Sequence, residues 1–170
     1  MGYIVKVYTM SILNTMDHHK NYGRLLLMFV LHLIAMYVLM YAMVDAFGNI
    51  HPNHNQFYMA ALMAAPMVVL ELLIMGSMYP KKRQNVGIIA VGVFLLVCSF
   101  IFIRQQVAIG DEQFLKSMIP HHAGAILMCE KAHLEDPQIK ELCGNILSGQ
   151  QTEIEWMTTK LQSLERGSNQ

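Results

Sequence analysis

Hydrophobic positions follow two patterns that meet near residue 104. Upstream, three apolar stretches run almost unbroken: Leu25–Val44, Phe57–Tyr79 and Val86–Ile103. At about 1.5 Å rise per residue each reaches roughly 27–35 Å, matching a bilayer core of about 30 Å. The rest of the chain is too small to cover three such helices in water, so the pattern predicts three transmembrane helices. The first stretch is too long for a removable signal and lacks a small-residue cleavage site. Downstream the pattern becomes amphipathic. Gly110 can end an extension of the third span and Asp111 can cap a new helix, while Asp136 and Pro137 read as an N-cap and first helical residue. The spacing predicts helices over Asp111–Leu134 and Pro137–Leu164, joined by a very short turn and packed antiparallel as a hairpin.

The expected architecture is all-α, in four parts. Residues 1–24 form a cytoplasmic N-terminal segment, 25–103 a three-span unit, 104–164 an extramembrane two-helix hairpin, and 165–170 a frayed tail. Lys and Arg placement orients the spans. Lys6, Lys20 and Arg24 precede the first, Lys81, Lys82 and Arg83 separate the second and third, and the loop Asp45–Gln56 has neither residue. The N-terminus and second loop are therefore expected in the cytoplasm and the hairpin outside, as in a multi-pass protein of a bacterial inner membrane with a periplasmic C-terminal domain.

Composition agrees: 54% of residues are hydrophobic and 14% charged. The formal net charge is +0 and no basic run exceeds three residues, which excludes an electrostatic footprint for nucleic acid. Three cysteines are too few for a disulfide scaffold.

The 15 methionines turn attention to the hairpin's inner face. At about 100° per residue, Phe114, Met118, His121, His122, Ala125, Met128, Cys129 and His133 share one side of its first helix. Ile139, Leu142, Cys143, Ile146, Gln150, Ile154, Met157, Leu161 and Leu164 share one side of the second, with Glu153 at the edge. Folding at residue 136 sets Cys129 opposite Cys143, His122 opposite Gln150, and Met118 opposite Glu153 and Ile154. Thioether and neutral imidazole together suit Cu(I). The candidate metal ligands are Met118, His121, His122 and Met157, supported by Met128, His133, Gln150 and Glu153. The plain alternative is a methionine-filled core, although adjacent buried histidines would need partners. Cys129 and Cys143 read as a disulfide in an oxidising compartment, with thiolate ligation of copper as the alternative.

The stretches "FLKSMIPHHAGAILMCEKA" (114–132) and "DPQIKELCGNILSGQQTEIEWMTTKL" (136–161) resemble the family called domain of unknown function 305. The resemblance rests on the box Met118, Ile119, Pro120, His121, His122, and on Gln150 or Gln151, Glu153, Ile154 and Met157 in the second helix. It implies a small ferritin-like helical domain, often periplasmic, with some Met/His-rich members similar to copper-binding proteins. This chain departs from a simple member by its three spans and its single hairpin. A hairpin this small does not bury its face alone, so it is expected to form a homodimer or to pack on the membrane part.

Within the spans, His32 and Glu71 lie at matching depth and are read as an intramembrane polar pair, structural or functional. Met36, Met40 and Met43, with Met59, Met63 and Met67 and with Cys98, invite a Cu(I) path, against plain packing. Pro66 is expected to kink the second span. His51 and His54 in "HPNHN", and His18 and His19, are weak ligand signals.

The leading expectation is a membrane-anchored, outward-facing Cu(I) buffer, chaperone or tolerance protein without turnover, its partners being membrane lipid, a metal ion and a second copy. The alternatives are a metal-free membrane adaptor and a di-iron oxidase. The last would use Glu130 and His133 with Glu141 or Glu153, but Glu130 projects about 60° beyond His133. No nucleotide loop, nucleophile triad or phosphate cradle argues for an energised pump or other enzyme.

Overall fold

The computed structural model describes residues 2–167, with side chains from Asn21 onward, so the side chains of Lys6, His18, His19 and Lys20 and the end of the expected tail, 168–170, lie outside what it describes. Among the described residues there are five α-helices: α1 (Gly2–Leu39), α2 (His54–Ile74), α3 (Lys82–Gln105), α4 (Asp111–Lys131) and α5 (Pro137–Gly167). Among the described residues there is no strand. Asn21–Met43, His54–Ile74 and Lys82–Gln105 are each long and apolar enough to cross a membrane. Their outward surfaces carry Leu27, Leu31, Ile34, Leu73, Val86 and Phe94, all well exposed, which water would not tolerate over so large an area.

The chain divides into two compact units, Met1–Met36 with Met59–Phe102, and Tyr37–Tyr58 with Ile103–Gln170. The first loop thus belongs with α4 and α5 rather than with the three-span unit.

In the first unit, Leu25, Val68, Leu72 and Tyr79 form a buried cluster, flanked by Tyr22, Phe29, Ile88 and Ile89. Small residues bring the helices close. Ala60, Ala64 and Ala65 are buried on α2, and a Cβ on Gly92 of α3 would lie 3.0 Å from the Val69 side chain. Pro66 sits inside α2, which continues through it to Ile74. The expected second span overshoots there: a short 3-10 turn, Gly76–Met78, replaces its last residues. Asn85 ties that turn down, donating to the Tyr79 carbonyl at 2.7 Å and accepting from the Tyr22 hydroxyl at 2.7 Å.

In the second unit, α4 and α5 share a core of Leu115, Ile119, Ala123, Ile126, Ile154, Met157 and Leu161, with Met118, Leu147 and Leu164 packed against it. Contacts pair Cys129 with Cys143, His122 with Glu153 and Lys116 with Glu165, so the two helices run antiparallel. Asp136 caps α5 by accepting from the Gln138 and Ile139 amides at 2.8 and 3.1 Å, with Pro137 as first residue. Asp111 is the first residue of α4 rather than its cap. Gly110 takes the cap position without a side-chain bond, and Asp111 and Glu112 face the positive end of the helix dipole. Residues 165–167 remain helical where a frayed tail was expected.

The inner face of α4 is turned relative to expectation. Leu115, Ile119, His122 and Ile126 are buried, while Phe114, Met128, His121 and His133 are exposed. Aliphatic positions at helical spacing, not the soft donors, set the face.

Candidate functional site

Pro120 lies inside α4 and has no N–H, so the Lys116 carbonyl one turn back loses its ordinary helical donor. Asn53 supplies the replacement. Its amide is 5% exposed and donates to the Lys116 carbonyl at 3.2 Å and to the His51 carbonyl at 2.9 Å. Its Oδ1 accepts from the Gln56 amide at 2.8 Å, which makes it the N-cap of α2. Both amide hydrogens are thereby used.

Around this joint, "HPNHN" is bound along residues 106–117. Gln113 accepts from the His54 amide at 3.0 Å, and His54 Nδ1 lies 3.3 Å from the Ala108 carbonyl. Asn55 pairs with Gln106 at 3.0 Å and donates to the Ser117 hydroxyl at 3.3 Å. Gln106 and Ala108 have left-handed backbones, with φ of 50° and 57°, which brings the carbonyls of this bend within reach of the histidine segment. On the same helix, a Cβ at Gly124 would lie 3.5 Å from the Met43 carbonyl.

His51 Nε2 is enclosed and has no hydrogen-bond partner among the described residues. Burial pushes the ring's pKa down, Lys116 adds to that and Glu165 opposes it. Lys116 bonds to Glu112 and Glu165, and these bonds, Glu112's first, hold its ammonium above the ordinary range against burial. Below about pH 6.5, the ordinary value of a histidine, the unfolded chain takes up a proton that folded His51 declines. Its contribution to stability is therefore complete above that pH and is lost as the pH falls. Melting of wild type and His51→Gln between about pH 7.5 and 5.5 should show the smaller acid-side loss in the variant. Equal losses would refute the assignment.

His122 is the buried histidine of the box, at 8% exposure. Its Nδ1 lies 3.0 Å from the Met118 carbonyl and its Nε2 2.7 Å from Glu153 Oε2. Both partners are acceptors, so the ring stands between a backbone carbonyl on its own helix and a carboxylate on α5. The Glu153 side chain is 59% exposed, so the pair opens to water on one side.

The structure gathers Met118, His122 and Met157 on the α4–α5 seam and leaves His121 on the surface, its ring 6.1 Å from that of His122. Glu153, not Gln150, faces His122, one turn further along the same side of α5, while Cys129 meets Cys143 as the fold at residue 136 places them. Met128, His133, Glu130 and Glu141 are exposed. Cys129 and Cys143 are disulfide-bonded, with Cα atoms 5.4 Å apart, which removes them as thiolate ligands. Among the described residues no group of three or more His, Cys, Asp or Glu converges as a metal site. Glu71 is bonded to the Tyr79 hydroxyl at 3.3 Å, and no hydrogen bond joins it to His32 among the described residues. Met36, Met59 and Met67 are half-buried and Met43 and Met63 exposed.

The family model described as "Domain of unknown function (DUF305)" matches residues 104–167. The chain belongs to the DUF305 family. It is also 33% identical over 144 residues to "Uncharacterized protein L153" of Acanthamoeba polyphaga mimivirus, covering 83% of this chain and 93% of that protein. A match that long runs beyond the DUF305 segment into the helices before it. No solved structure matches.

Asn53 and the Lys116 carbonyl were missed in the sequence. Two local signals pointed to them: the Asn53–x–x–Gln56 spacing, of capping-box type, and the missing N–H at Pro120.

Proposed function

We propose that this DUF305 chain is a membrane-anchored metal-binding protein that holds Cu(I) on the α4–α5 seam for buffering, delivery or tolerance. The observation that carries the reading is the His122 Nδ1 contact to the Met118 carbonyl, since a ligating histidine ordinarily ties its other ring nitrogen to such an acceptor. The donor set suits a soft ion, with sulfur from Met118 and Met157 and nitrogen from His122 Nε2. His121, on the surface, drops from the ligand set. To ligate through Nε2, His122 gives up its Glu153 contact. The disulfide supports placing α4 and α5 in an oxidising, extracytoplasmic compartment of periplasm type. Apolar side chains left exposed on α5, among them Ile139, Leu142 and Trp156, support a second copy completing a ferritin-like four-helix bundle.

The test is competitive Cu(I) titration of the full chain in detergent. His122→Ala and Met157→Leu should weaken binding at least tenfold, as losses around metal sites do, and His121→Ala should change it little. Unchanged affinity in His122→Ala overturns the proposal. It would favour the second reading, a metal-free adaptor, which draws support from His122 having an acceptor at both ring nitrogens.

A further inference from the structure

The three-span unit contains an open cavity of about 660 Å³ between α1 and α3, floored by α2. Its walls are apolar, among them Leu26, Phe29, Ala65, Val91 and Leu95. One end alone is polar, where Tyr22 and Gln84 line it. There the Tyr22 hydroxyl is fixed between Asn85 Oδ1, at 2.7 Å, and the Lys81 amide, which donates to it at 3.2 Å. Lys82 and Arg83 follow directly in the chain, immediately before Gln84, and both are exposed. The groove thus has an apolar body and a polar mouth, and two exposed cations precede Gln84 at that end of α3.

Its length selects the occupant. From Gln84 to Leu95 it runs about 16 Å at 1.5 Å per residue, which is one leaflet of a bilayer core about 30 Å thick. A partner's transmembrane helix would need a groove along the whole span, whereas a lipid chain needs half. The cations at the mouth then stand where the phosphate of that lipid lies. Basic residues beside pockets between spans recruit anionic headgroups in this way.

We propose that this groove is a binding site for one anionic phospholipid, an acyl chain lying along Leu26, Phe29 and Val91 and the phosphate held at Lys82 and Arg83. The inference rests on the spans lying in a membrane and is independent of the metal reading. Gly87 lines the groove, and nothing lies within 4 Å of where its Cβ would be, so a side chain there starts in open space and occupies the groove.

The experiment is native mass spectrometry of the full chain, released from detergent after exposure to an equal mixture of phosphatidylglycerol and phosphatidylcholine of matched chains. Wild type should retain one phosphatidylglycerol in preference. The double substitution Lys82→Gln/Arg83→Gln should reduce that preference roughly thirtyfold, at the worth of two surface cations, and Gly87→Phe should abolish retention of both lipids. Lys82 and Arg83 are exposed, so their variant tests the site even where Gly87→Phe folds poorly. Equal retention of both lipids by wild type, or an unchanged preference in the Lys82/Arg83 variant, overturns the proposal. So does retention by a folded Gly87→Phe, and so does a second protein chain retained in place of lipid.

Discussion

Reducing the Cys129–Cys143 bond, or replacing both cysteines by serine, should lower the stability of the α4–α5 unit by about 3 kcal/mol. The bond closes a loop of sequence separation 14, and the entropy withheld from the unfolded chain sets that magnitude. Packing makes the bond matter further. The buried residues of α5 are Ile154, Met157 and Leu161, all in its second half. Toward the connection, Ile139 and Leu142 are exposed and Met128 of α4 is as well. At that end few side-chain contacts hold the helices together, and the disulfide does most of it. The chain has a single tryptophan, Trp156 on α5, so denaturant unfolding followed by its fluorescence reports this unit directly. A difference below about 1 kcal/mol between oxidised and reduced protein would show that the core alone holds the pair.

The three long apolar helices were legible because an unbroken apolar run near 20 residues has few other uses, and the start of α5 because Asp136–Pro137 is a local signal with a local cause. The face of α4 was not. His121 and His122 are adjacent, so either of two faces 100° apart accommodates one of them, and weighting the soft donors chose the face carrying Phe114 and Met128. The aliphatic spacing Leu115, Ile119, Ile126 is the stronger guide, since burying those side chains drives the helices together. Met118, His122 and Cys129 belong to both faces, and His122 is the buried histidine of the box. The Glu153 partner lies one turn beyond Gln150 on the same side of α5; the Cys129–Cys143 register is the expected one, and the carboxylate rather than the amide a turn away meets the imidazole. The docking of "HPNHN" onto α4 joins residues some sixty positions apart, and no periodicity reports it.

Replacing Asn53 with alanine should cost the second unit about 2–4 kcal/mol, the sum of a lost helix cap and a buried carbonyl left unpaired. Asn53→Asp separates the two parts. Aspartate is as good an N-cap as asparagine and still accepts from the Gln56 amide. It has no N–H for the Lys116 and His51 carbonyls and sets a carboxylate against both, so it too should destabilise strongly. The decisive measurement is a double-mutant cycle with Pro120→Ala. Alanine at 120 restores the backbone N–H that the Lys116 carbonyl lacks, and the Asn53 bond to that oxygen then becomes redundant. In the Pro120→Ala background, Asn53→Ala should cost about 1 kcal/mol less than in wild type, the cap portion being unchanged. Additive costs would mean that Asn53 holds the loop for reasons unrelated to the proline. A coupling of the expected sign would give the family box a structural duty beside any metal. His122 in the box faces α5, while the proline opens the opposite edge of α4 to receive the segment that joins the first two spans.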